Sequence, residues 1–442
     1  MLRAGNNNLT SIPDLSCAGG SLTHLKLENN FIASINDSFT GLEALRNLDI
    51  RNNLLTALYS HQFDGQGMPL YTLSLSDNPI SSIDSNAFCG TQLRYLYMWR
   101  LYLTSLPDLS CIAGGLRAFQ ATAMQSTGLV DFSAAVELPA MINLALELSV
   151  QPGRDQLRLM THTTKLQLIC YGLRRLTQLD THFLQHVPAL EILRIQVGGF
   201  RVMPDFSVIP ATNQITELQM NWGWLEVVPT YALRTLRQLT TLQLMFNRIS
   251  EIQPRAFLAQ YHVLTSLDLE GNSDLDVDPV EFSQFTSLET VTLDNTGLTE
   301  FPDFSGSASA LESLSMKNVN ITKPLLYLNA SFSQLSHVGL RAGIATPVAL
   351  ADATGIILAG TLERLDLRNN TLSCHCENAW IVRLLRGEHG QQYDDVIDVD
   401  GTVCGSPAAL RGRSVQDDVT VADMCPGKSF ALSVSHAKCG LC

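Results

Sequence analysis

Residues 362–372 read Leu-Glu-Arg-Leu-Asp-Leu-Arg-Asn-Asn-Thr-Leu. Leucines stand at the first, fourth, sixth and eleventh positions and an asparagine at the ninth, which gives the pattern L-x-x-L-x-L-x-x-N-x-L. In a short β-strand, alternate side chains point to the same face, so these leucines would enter one core. A single unit cannot bury that apolar face by itself, and the stretch therefore predicts stacked copies on both sides.

The same pattern recurs along most of the chain. Its central leucine-type position can be aligned sixteen times, at steps of 22 to 27 residues. These positions are Leu2, Leu25, Leu48, Leu73, Leu96, Phe119, Leu144, Leu166, Leu193, Leu218, Leu242, Leu267, Val291, Leu314, Val338 and Leu365. The pattern resembles the leucine-rich repeat, whose unit is roughly 20–29 residues long. The resemblance implies an α/β solenoid of horseshoe form, with a parallel sheet on the concave side and an irregular convex side.

The distribution of repeats and cysteines predicts the domain organisation. Residues 1–372 carry the repeats, residues 373–425 are rich in cysteine, and residues 426–442 form a tail with two more cysteines. We therefore predict a solenoid, a small disulfide-bonded C-terminal cap and a truncated tail. Because Met1 falls directly into a repeat, we expect that a leader and an N-terminal cap are missing from this sequence.

The charge and hydropathy of the chain narrow the class of partner. The formal net charge is −13 at pH 7 and the isoelectric point is near 5.2, whereas a general nucleic-acid partner needs a basic surface. No run of 18 apolar residues occurs, so any attachment to a membrane would come from a segment outside this chain.

The asparagine of the pattern is present only in some repeats. It bonds neighbouring backbone groups in the turn and so forms a ladder between repeats. It is found at Asn7, Asn30, Asn53, Asn78, Asn247, Asn272 and Asn370, and it is replaced by Leu101, Met124, Ser149, Tyr171, Gly198 and Gly223 in between. We expect irregular curvature in these central repeats, and relaxed selection in a duplicated array is the alternative explanation.

The sequence also has a longer period, of four repeats. A Pro-Asp-Leu/Phe-Ser sequence begins at Pro13, Pro107, Pro204 and Pro302, always four repeats apart. The array therefore looks like the product of duplication of a four-repeat block.

The segment after the last repeat carries a recognisable set of residues. It contains Cys374-His-Cys376, Trp380, Cys404-Gly-Ser-Pro407, Leu410-Arg-Gly412 and Cys425. This order resembles the C-terminal cap of Toll-like receptors, slit proteins and variable lymphocyte receptors. The resemblance implies the disulfide bonds Cys374–Cys404 and Cys376–Cys425, with Trp380 covering the apolar end of the solenoid. Zinc is the alternative for Cys-His-Cys, but paired zinc ligands usually have at least two residues between them.

Further cysteines and asparagines point to an oxidising, extracellular environment. Cys89 and Cys111 lie 16 and 15 residues after the central leucines of adjacent repeats, which predicts a third disulfide bond on the convex side. The alternative is that they are independent buried thiols. Five Asn-x-Ser/Thr sequences are candidate glycosylation sites: Asn8, Asn36, Asn320, Asn329 and Asn369.

Nothing in the sequence supports an enzyme or a cofactor. Residues 422–429 match the phosphate-loop pattern loosely, but only 13 residues follow Ser429 and Cys425 belongs to the cap. The histidines are scattered through different repeats, and no metal site is expected.

Ligand binding is therefore expected on the exposed concave positions. Aromatic, methionine and arginine side chains dominate protein-recognition surfaces. They are concentrated in two places, together with two glutamines, and the candidate ligand-binding residues are Tyr95, Tyr97, Trp99, Arg100, Gln219, Trp222, Gln243, Met245 and Phe246. The alternative is that some of these rings pack over the interrupted ladder.

Taken together, the sequence predicts the extracellular or cell-surface recognition region of a receptor or secreted protein. The resemblance implies binding of a protein or glycan partner without chemistry, with a homo- or hetero-dimer as a further option. Two alternatives stay open: the ectodomain of a signalling enzyme such as a receptor kinase, and a matrix or adhesion protein.

Overall fold

The computed structural model describes residues 1–35, 38–39, 41–63, 69–123, 138–147, 154, 157, 160–170, 178–196, 199–275, 277, 279–298, 302–317, 319, 337–339, 364–368, 371–376, 379–386 and 396–426. The chain forms two compact units, Met1–Leu275 and Asp276–Cys442, which we describe one after the other.

In the first unit, twelve strands form a parallel sheet in which neighbours in the chain are neighbours in space. They are β1 (Leu2–Arg3), β2 (His24–Lys26), β3 (Asn47–Asp49), β5 (Thr72–Ser74), β7 (Tyr95–Leu101), β8 (Ala118–Ala123), β9 (Asn143–Glu147), β10 (Lys165–Ile169), β11 (Ile192–Gln196), β12 (Glu217–Gln219), β14 (Thr241–Gln243) and β16 (Ser266–Asp268). Leu2 pairs with Leu25, and this register continues through every predicted central position to Leu267. The prediction of one strand per repeat is thus confirmed in this unit.

The return segments of the first unit carry short secondary elements. Two small parallel sheets are formed by β4 (Ala57–Leu58) with β6 (Ser82–Ile83), and by β13 (Val227–Val228) with β15 (Glu251–Ile252). The 3₁₀-helices are Ser16–Ala18, Thr181–His186 and Phe206–Val208. Buried phenylalanines lie in these returns, and the rings of Phe39 and Phe63 stack with centroids 5.8 Å apart.

The second unit continues the repeat pattern and ends in the cap. Its strands are β17 (Thr290–Thr292), β18 (Ser313–Ser315), β19 (His337–Gly339), β20 (Arg364–Asp366), β21 (Thr371–Ser373), β22 (Ile397–Asp398) and β23 (Val403–Ser406). Its helices are the 3₁₀-helices Pro279–Gln284 and Ser305–Ser307, and the α-helices α1 (Ala379–Leu385) and α2 (Val421–Met424). β22 extends the repeat sheet by pairing with β20, so the cap closes the stack with a strand of its own. Trp380 on α1 is buried, as expected for a residue that covers an apolar core.

Among the described residues there are three disulfide bonds, and they join the cysteines that were paired above. Cys374–Cys404 and Cys376–Cys425 tie the cap together. Cys89–Cys111 links the return segments of two adjacent repeats, with Cα atoms 4.9 Å apart.

The repeated Pro-Asp-Leu/Phe-Ser sequence forms the same local structure in all four copies. Each aspartate accepts a hydrogen bond from the backbone N–H of the serine two residues later, at 2.8 to 2.9 Å. The aspartates are Asp14, Asp108, Asp205 and Asp303. A short polar side chain that bonds its own backbone in this way favours a turn, and here it starts the return segment.

The asparagine of the repeat pattern has a clear structural role in the repeats that keep it. The Asn53 side chain donates from Nδ2 to the carbonyls of Leu27 and Ile50 at 2.9 and 3.1 Å, and its Oδ1 accepts from the N–H of Ile32 at 3.0 Å. The side chains of Asn30, Asn78, Asn247 and Asn272 make the corresponding bonds. The amide thus satisfies backbone groups that are buried between repeats.

Strands are longer in most of the described repeats that lack this asparagine. β2, β3, β5, β14 and β16, whose repeats keep it, each have three residues, whereas β7 has seven, β8 has six and β9 to β11 have five; β12, whose repeat has Gly223 at this position, again has three. Leu101 takes the place of the asparagine at the end of β7 and is fully buried. Without the side-chain amide, the backbones of β7 to β11 stay paired with each other over more residues.

Candidate ligand-binding surface

β7 places three of the predicted aromatic residues on one side of the sheet. Because side chains alternate along a strand, Leu96 and Met98 enter the core while Tyr95, Tyr97 and Trp99 face outward. Tyr95 is exposed, and Tyr97 and Trp99 are half-buried against their neighbours. The pattern that predicted these rings as a group is therefore matched by their positions.

The rings of β7 are held by polar partners in the adjacent repeats. The Trp99 indole donates from Nε1 to Oε1 of Gln120 at 2.5 Å. Its backbone N–H donates to the Ser76 hydroxyl at 3.1 Å, and the N–H of Arg100 donates to the Thr122 hydroxyl at 2.8 Å. These two hydroxyls satisfy the backbone where the register of β7 and β8 shifts. The N–H groups of Trp99 and Arg100, at the irregular end of the strand that carries the aromatic surface, are thus both paired.

Arg100 leaves the line of the other three residues. Its backbone is in the left-handed region with φ of 55°, and its guanidinium forms an ion pair with Asp77 at 2.5 Å. It remains exposed at the end of β7, next to the rings and not among them.

Partial burial affects the chemistry of Tyr97. Burial raises the pKa of its phenol above the usual value, and the neighbouring Tyr95 contributes in the same direction. Tyr97 is therefore neutral at physiological pH and can donate a hydrogen bond from its hydroxyl to a partner.

The other predicted residues form a second group on β12 and β14. Gln219 lies beside Gln243 in the sheet register. Beyond the strand ends, Trp222 and Phe246 both have positive φ, 62° and 52°, and their rings stack with centroids 4.0 Å apart. Met245 is half-buried between these features, and Trp222 is 57% exposed.

Gly271 completes the column that Trp222 and Phe246 begin. It occupies the equivalent position of the next repeat with φ of +76°, and a Cβ there would lie 2.5 Å from the Phe246 ring. Glycine is favoured by that backbone conformation, and it also leaves the space into which the phenylalanine ring fits.

The same left-handed position carries amides in the first repeats. Nδ2 of Asn29 donates to Oδ1 of Asn6 at 2.9 Å, and Nδ2 of Asn52 donates to Oδ1 of Asn29 at 2.6 Å. One backbone position therefore bears a polar column at one end of the unit and an aromatic column at the other.

The structure does not bring the two predicted groups together. Four strands, β8 to β11, separate β7 from β12 in the sheet. The candidate residues consequently form two surfaces, the β7 surface (Tyr95, Tyr97 and Trp99) and the turn surface (Trp222 and Phe246).

Three contacts between an arginine and an aromatic ring were not predicted from the sequence. Arg46 and Arg94 both lie over the ring of Tyr71, and Arg248 lies 4.0 Å from the centre of the Trp224 ring. Tyr71 and both of its arginines precede a central leucine by two residues, and comparing that position between repeats would have found them.

The recess beside the turn surface is too small for an organic ligand. It lies next to Trp224 and is lined by Met220, Asn221 and Asn247 among others, with a volume of about 10 Å³. A space of that size holds about one water molecule.

Comparison with known proteins agrees with the repeat architecture. A family model described as leucine rich repeat matches residues 2–55, 43–100 and 237–298. These matched residues are leucine-rich repeats. Leucine-rich repeat-containing protein 3B from Bos taurus, Mus musculus and Homo sapiens is 40% identical to it over 91 residues. That match covers 20% of this chain and 34% of the length of these relatives.

Solved leucine-rich-repeat structures have the same fold at low sequence identity. The Toll–Spatzle complex of Drosophila is matched with a TM-score of 0.60 and 19% identity, over 90% of this chain and 54% of that chain. InlJ from Listeria monocytogenes is matched with a TM-score of 0.52 and 18% identity, over 84% and 74% of the two chains. A protein from Leptospira interrogans gives 0.53 and 19%, over 78% of each.

The remaining predictions concern sites of other kinds. Asn8 is exposed, while Asn36, Asn320, Asn329 and Asn369 lie outside the described residues. Among the described residues, no group of histidine, cysteine, aspartate and glutamate side chains is arranged to hold a metal ion. The helices in the same part of the chain are all too short or too polar to span a bilayer.

Proposed function

We propose that this chain is the ligand-recognition region of an extracellular leucine-rich-repeat receptor or secreted recognition protein, and that it binds a protein partner at the β7 surface without catalysing a reaction. The observation that carries this proposal is the outward row of Tyr95, Tyr97 and Trp99 on a strand whose N–H groups stay hydrogen-bonded at its irregular end. Clustered aromatic residues on a rigid support are typical of protein-recognition hot spots.

Two further observations support the proposal. Three disulfide bonds fit an oxidising compartment such as the cell exterior. The Drosophila Toll structure is a complex with Spatzle, and by analogy with that complex we favour a protein over a glycan as the partner.

The proposal can be tested with the whole chain displayed against an array of secreted and cell-surface proteins. We expect a reproducible partner whose affinity falls at least about tenfold when Tyr97 and Trp99 are both replaced by alanine, because truncated hot-spot residues typically cost 2 kcal/mol or more. The matched control replaces Tyr59 and Tyr231, which are also exposed, and should keep the wild-type affinity.

Two results would contradict the proposed site. One is a partner whose affinity is equal for the wild type and the Tyr97/Trp99 variant. The other is a partner that is lost only when Trp222 and Phe246 are replaced, which would move recognition to the turn surface.

A further inference from the structure

A line of basic and aromatic residues runs beside the β7 surface. Arg46, Tyr71, Arg94 and Arg117 each stand two residues before a central leucine-type residue, in four successive repeats, and we call them the arginine–tyrosine row. Their backbones are joined directly: the N–H of Tyr71 donates to the carbonyl of Arg46 at 2.7 Å. The N–H groups of Arg94 and Arg117 donate to the preceding residue of the row at 2.8 Å each. The row is therefore a fixed feature of the sheet edge.

The tyrosine of the row holds two cationic side chains. The guanidinium carbon of Arg94 lies 4.7 Å from the centre of the Tyr71 ring and that of Arg46 lies 5.7 Å from it. The two arginines belong to the repeats before and after Tyr71, so the ring stands between them. Cation–π contact restrains both guanidinium groups without using any of their N–H donors.

The arginines of the row differ from the ion-paired arginines of the first unit. Arg51, Arg100, Arg154, Arg194 and Arg201 each form an ion pair with an aspartate or glutamate. Arg46, Arg94 and Arg117 are exposed, and within the described part of the chain none of them forms an ion pair. Their donors are thus directed to solvent and are available to a partner.

The surroundings of the row contain few carboxylates along the sheet. The row position continues as Ile142 and Thr164 and reaches its first acid at Glu191. The position just before the central leucine has no acid before Glu217, and the position just after it has Asp49, which is paired with Arg51. In a chain with a formal net charge of −13, this is a local positive surface against a negative background.

From these contacts we propose that the arginine–tyrosine row docks an acidic segment of the protein partner, rich in aspartate or glutamate, while the β7 surface receives its apolar side chains. This inference rests on the proposed function, and it specifies the chemistry of the partner. Arg94 and Tyr95 are adjacent in sequence, so the row and the β7 surface are continuous. A guanidinium presents a planar pair of donors that matches a carboxylate.

The charge distribution favours an acidic protein segment over a long polyanion. A sulfated glycan or a nucleic acid gains its affinity from many charges along an extended basic track. The row has only three arginines, and the rest of this acidic chain would repel a long polyanion. A short acidic segment of a protein can contact the row and avoid that repulsion.

The test uses three probes of known composition on the whole chain: a decaglutamate peptide, a decaglutamine peptide and a heparin-derived decasaccharide. Binding is measured for the wild type and for a row variant with Arg46→Gln, Arg94→Gln and Arg117→Gln. A control variant carries Arg234→Gln, Arg237→Gln and Arg411→Gln, which removes the same charge from other exposed positions.

We expect the row variant to bind decaglutamate at least about tenfold more weakly than the wild type at low salt, and the control variant to stay within about twofold. Binding should weaken as salt is raised, because surface charge attraction is screened. Equal loss in the two variants would overturn the inference, since net charge would then explain it. Absence of decaglutamate binding, or heparin binding that alone depends on the row, would also overturn it.

These outcomes are separable from the fate of the proposed function. A partner that needs Tyr97 and Trp99 but binds the row variant normally would leave the proposed function standing and remove the acidic segment. If the row variant lost decaglutamate binding while the Tyr97/Trp99 replacement affected no partner, the acidic binding site would stand and the proposed function of the β7 surface would not.

Discussion

Repeats with the consensus asparagine and the β7 repeat, which lacks it, pair their buried backbone groups in different ways. At Asn53, one side-chain amide satisfies backbone groups of three residues, and the strand β3 is three residues long. At Leu101, no such amide exists and β7 runs for seven residues, with the hydroxyls of Ser76 and Thr122 bonding the backbone near its end. Buried backbone groups must be paired, and either a side chain or a longer strand can do it.

A longer strand gives a repeat more surface for recognition. A three-residue strand exposes two side chains beside its central leucine, whereas β7 exposes Tyr95, Tyr97 and Trp99. In the β7 repeat, the longer strand therefore presents one more outward side chain than a three-residue strand does. The turn surface arises differently, from two rings at positive φ: Trp222 in the repeat with Gly223, and Phe246 in the next repeat, which regains the asparagine as Asn247.

The largest effect is expected from removing one ladder amide. Asn53→Ala leaves the buried N–H of Ile32 without its partner, which costs about 1–3 kcal/mol. It also removes hydrogen bonds to the carbonyls of Leu27 and Ile50, worth about 0.5–1.5 kcal/mol each, although a neighbouring ladder amide still donates to each carbonyl. We expect the free energy of unfolding, measured by urea denaturation, to fall by about 3 kcal/mol or more. Asn52→Gly is the control, since Asn52 is exposed and glycine keeps its positive φ. A similar small loss in both variants would remove the ladder from the explanation of stability.

Removal of the Cys89–Cys111 disulfide bond, which joins a repeat with the asparagine to one without it, should have the next largest effect on stability. Cys89 lies in the repeat of Asn78 and Cys111 in the repeat of Leu101, at a sequence separation of 22. Replacing both by alanine should lower the free energy of unfolding by about 3 kcal/mol, from the loop-closure entropy of a loop of this length. Cys17→Ala, at an exposed thiol, should have little effect. Equal stability of the double variant and the wild type would show that the ladder alone holds this boundary.

A smaller effect is expected at the turn surface. Gly271→Ala combines a positive φ with a Cβ placed 2.5 Å from the Phe246 ring, and we expect a loss of about 1–3 kcal/mol. Gly41→Ala is a matched control, because Gly41 has φ of +80° but open space around its Cβ position. Adding Phe246→Ala to Gly271→Ala should reduce the extra cost of the alanine to that of the control. If Gly41→Ala and Gly271→Ala cost the same, the ring does not determine the glycine.

The smallest effect concerns pH. The backbone N–H of Ser16 lowers the pKa of Asp14, and that of Ser110 lowers the pKa of Asp108. A lowered folded-state pKa gives stability that is present above the unfolded-state value of about 3.9 and is lost as the pH falls through the folded-state pKa. The variant Asp14→Asn/Asp108→Asn should therefore lose less stability than the wild type between about pH 5 and pH 2. Identical acid profiles would show that these turns carry no charge-dependent stability.

Much of the fold could be predicted because it is written in a repeated apolar pattern. Fixing Leu365 as a central position fixes Leu48 and Leu218 by alignment, and the strand register follows from it. Counting from those positions also placed Cys89 beside Cys111. The boundaries predicted at residues 372 and 425 stay predictions, as do the roles of the candidate binding residues.

The remaining features depend on backbone geometry that residue types do not specify. Nothing in the sequence of β7 states that its strand continues past Met98, since that depends on hydroxyls two repeats apart, at Ser76 and Thr122. The stack of Trp222 on Phe246 requires a positive φ at both, which is unusual for aromatic residues. The strand β22 could not be foreseen either, because it lies in the cap and outside the repeat pattern.

Hydrogen exchange of backbone amides tests most directly whether hydroxyls and longer strands replace the ladder and hold the β7 surface rigid. The comparison is between the amides of Ile50 and Asn52, which bond to carbonyls in a ladder repeat, and those of Trp99 and Arg100, which bond to Ser76 and Thr122. We expect the protection factors of the Trp99 and Arg100 amides to lie within about tenfold of those of Ile50 and Asn52, since equivalent bonding gives equivalent local stability. Exchange of Trp99 and Arg100 near the rate of an unstructured chain would contradict it.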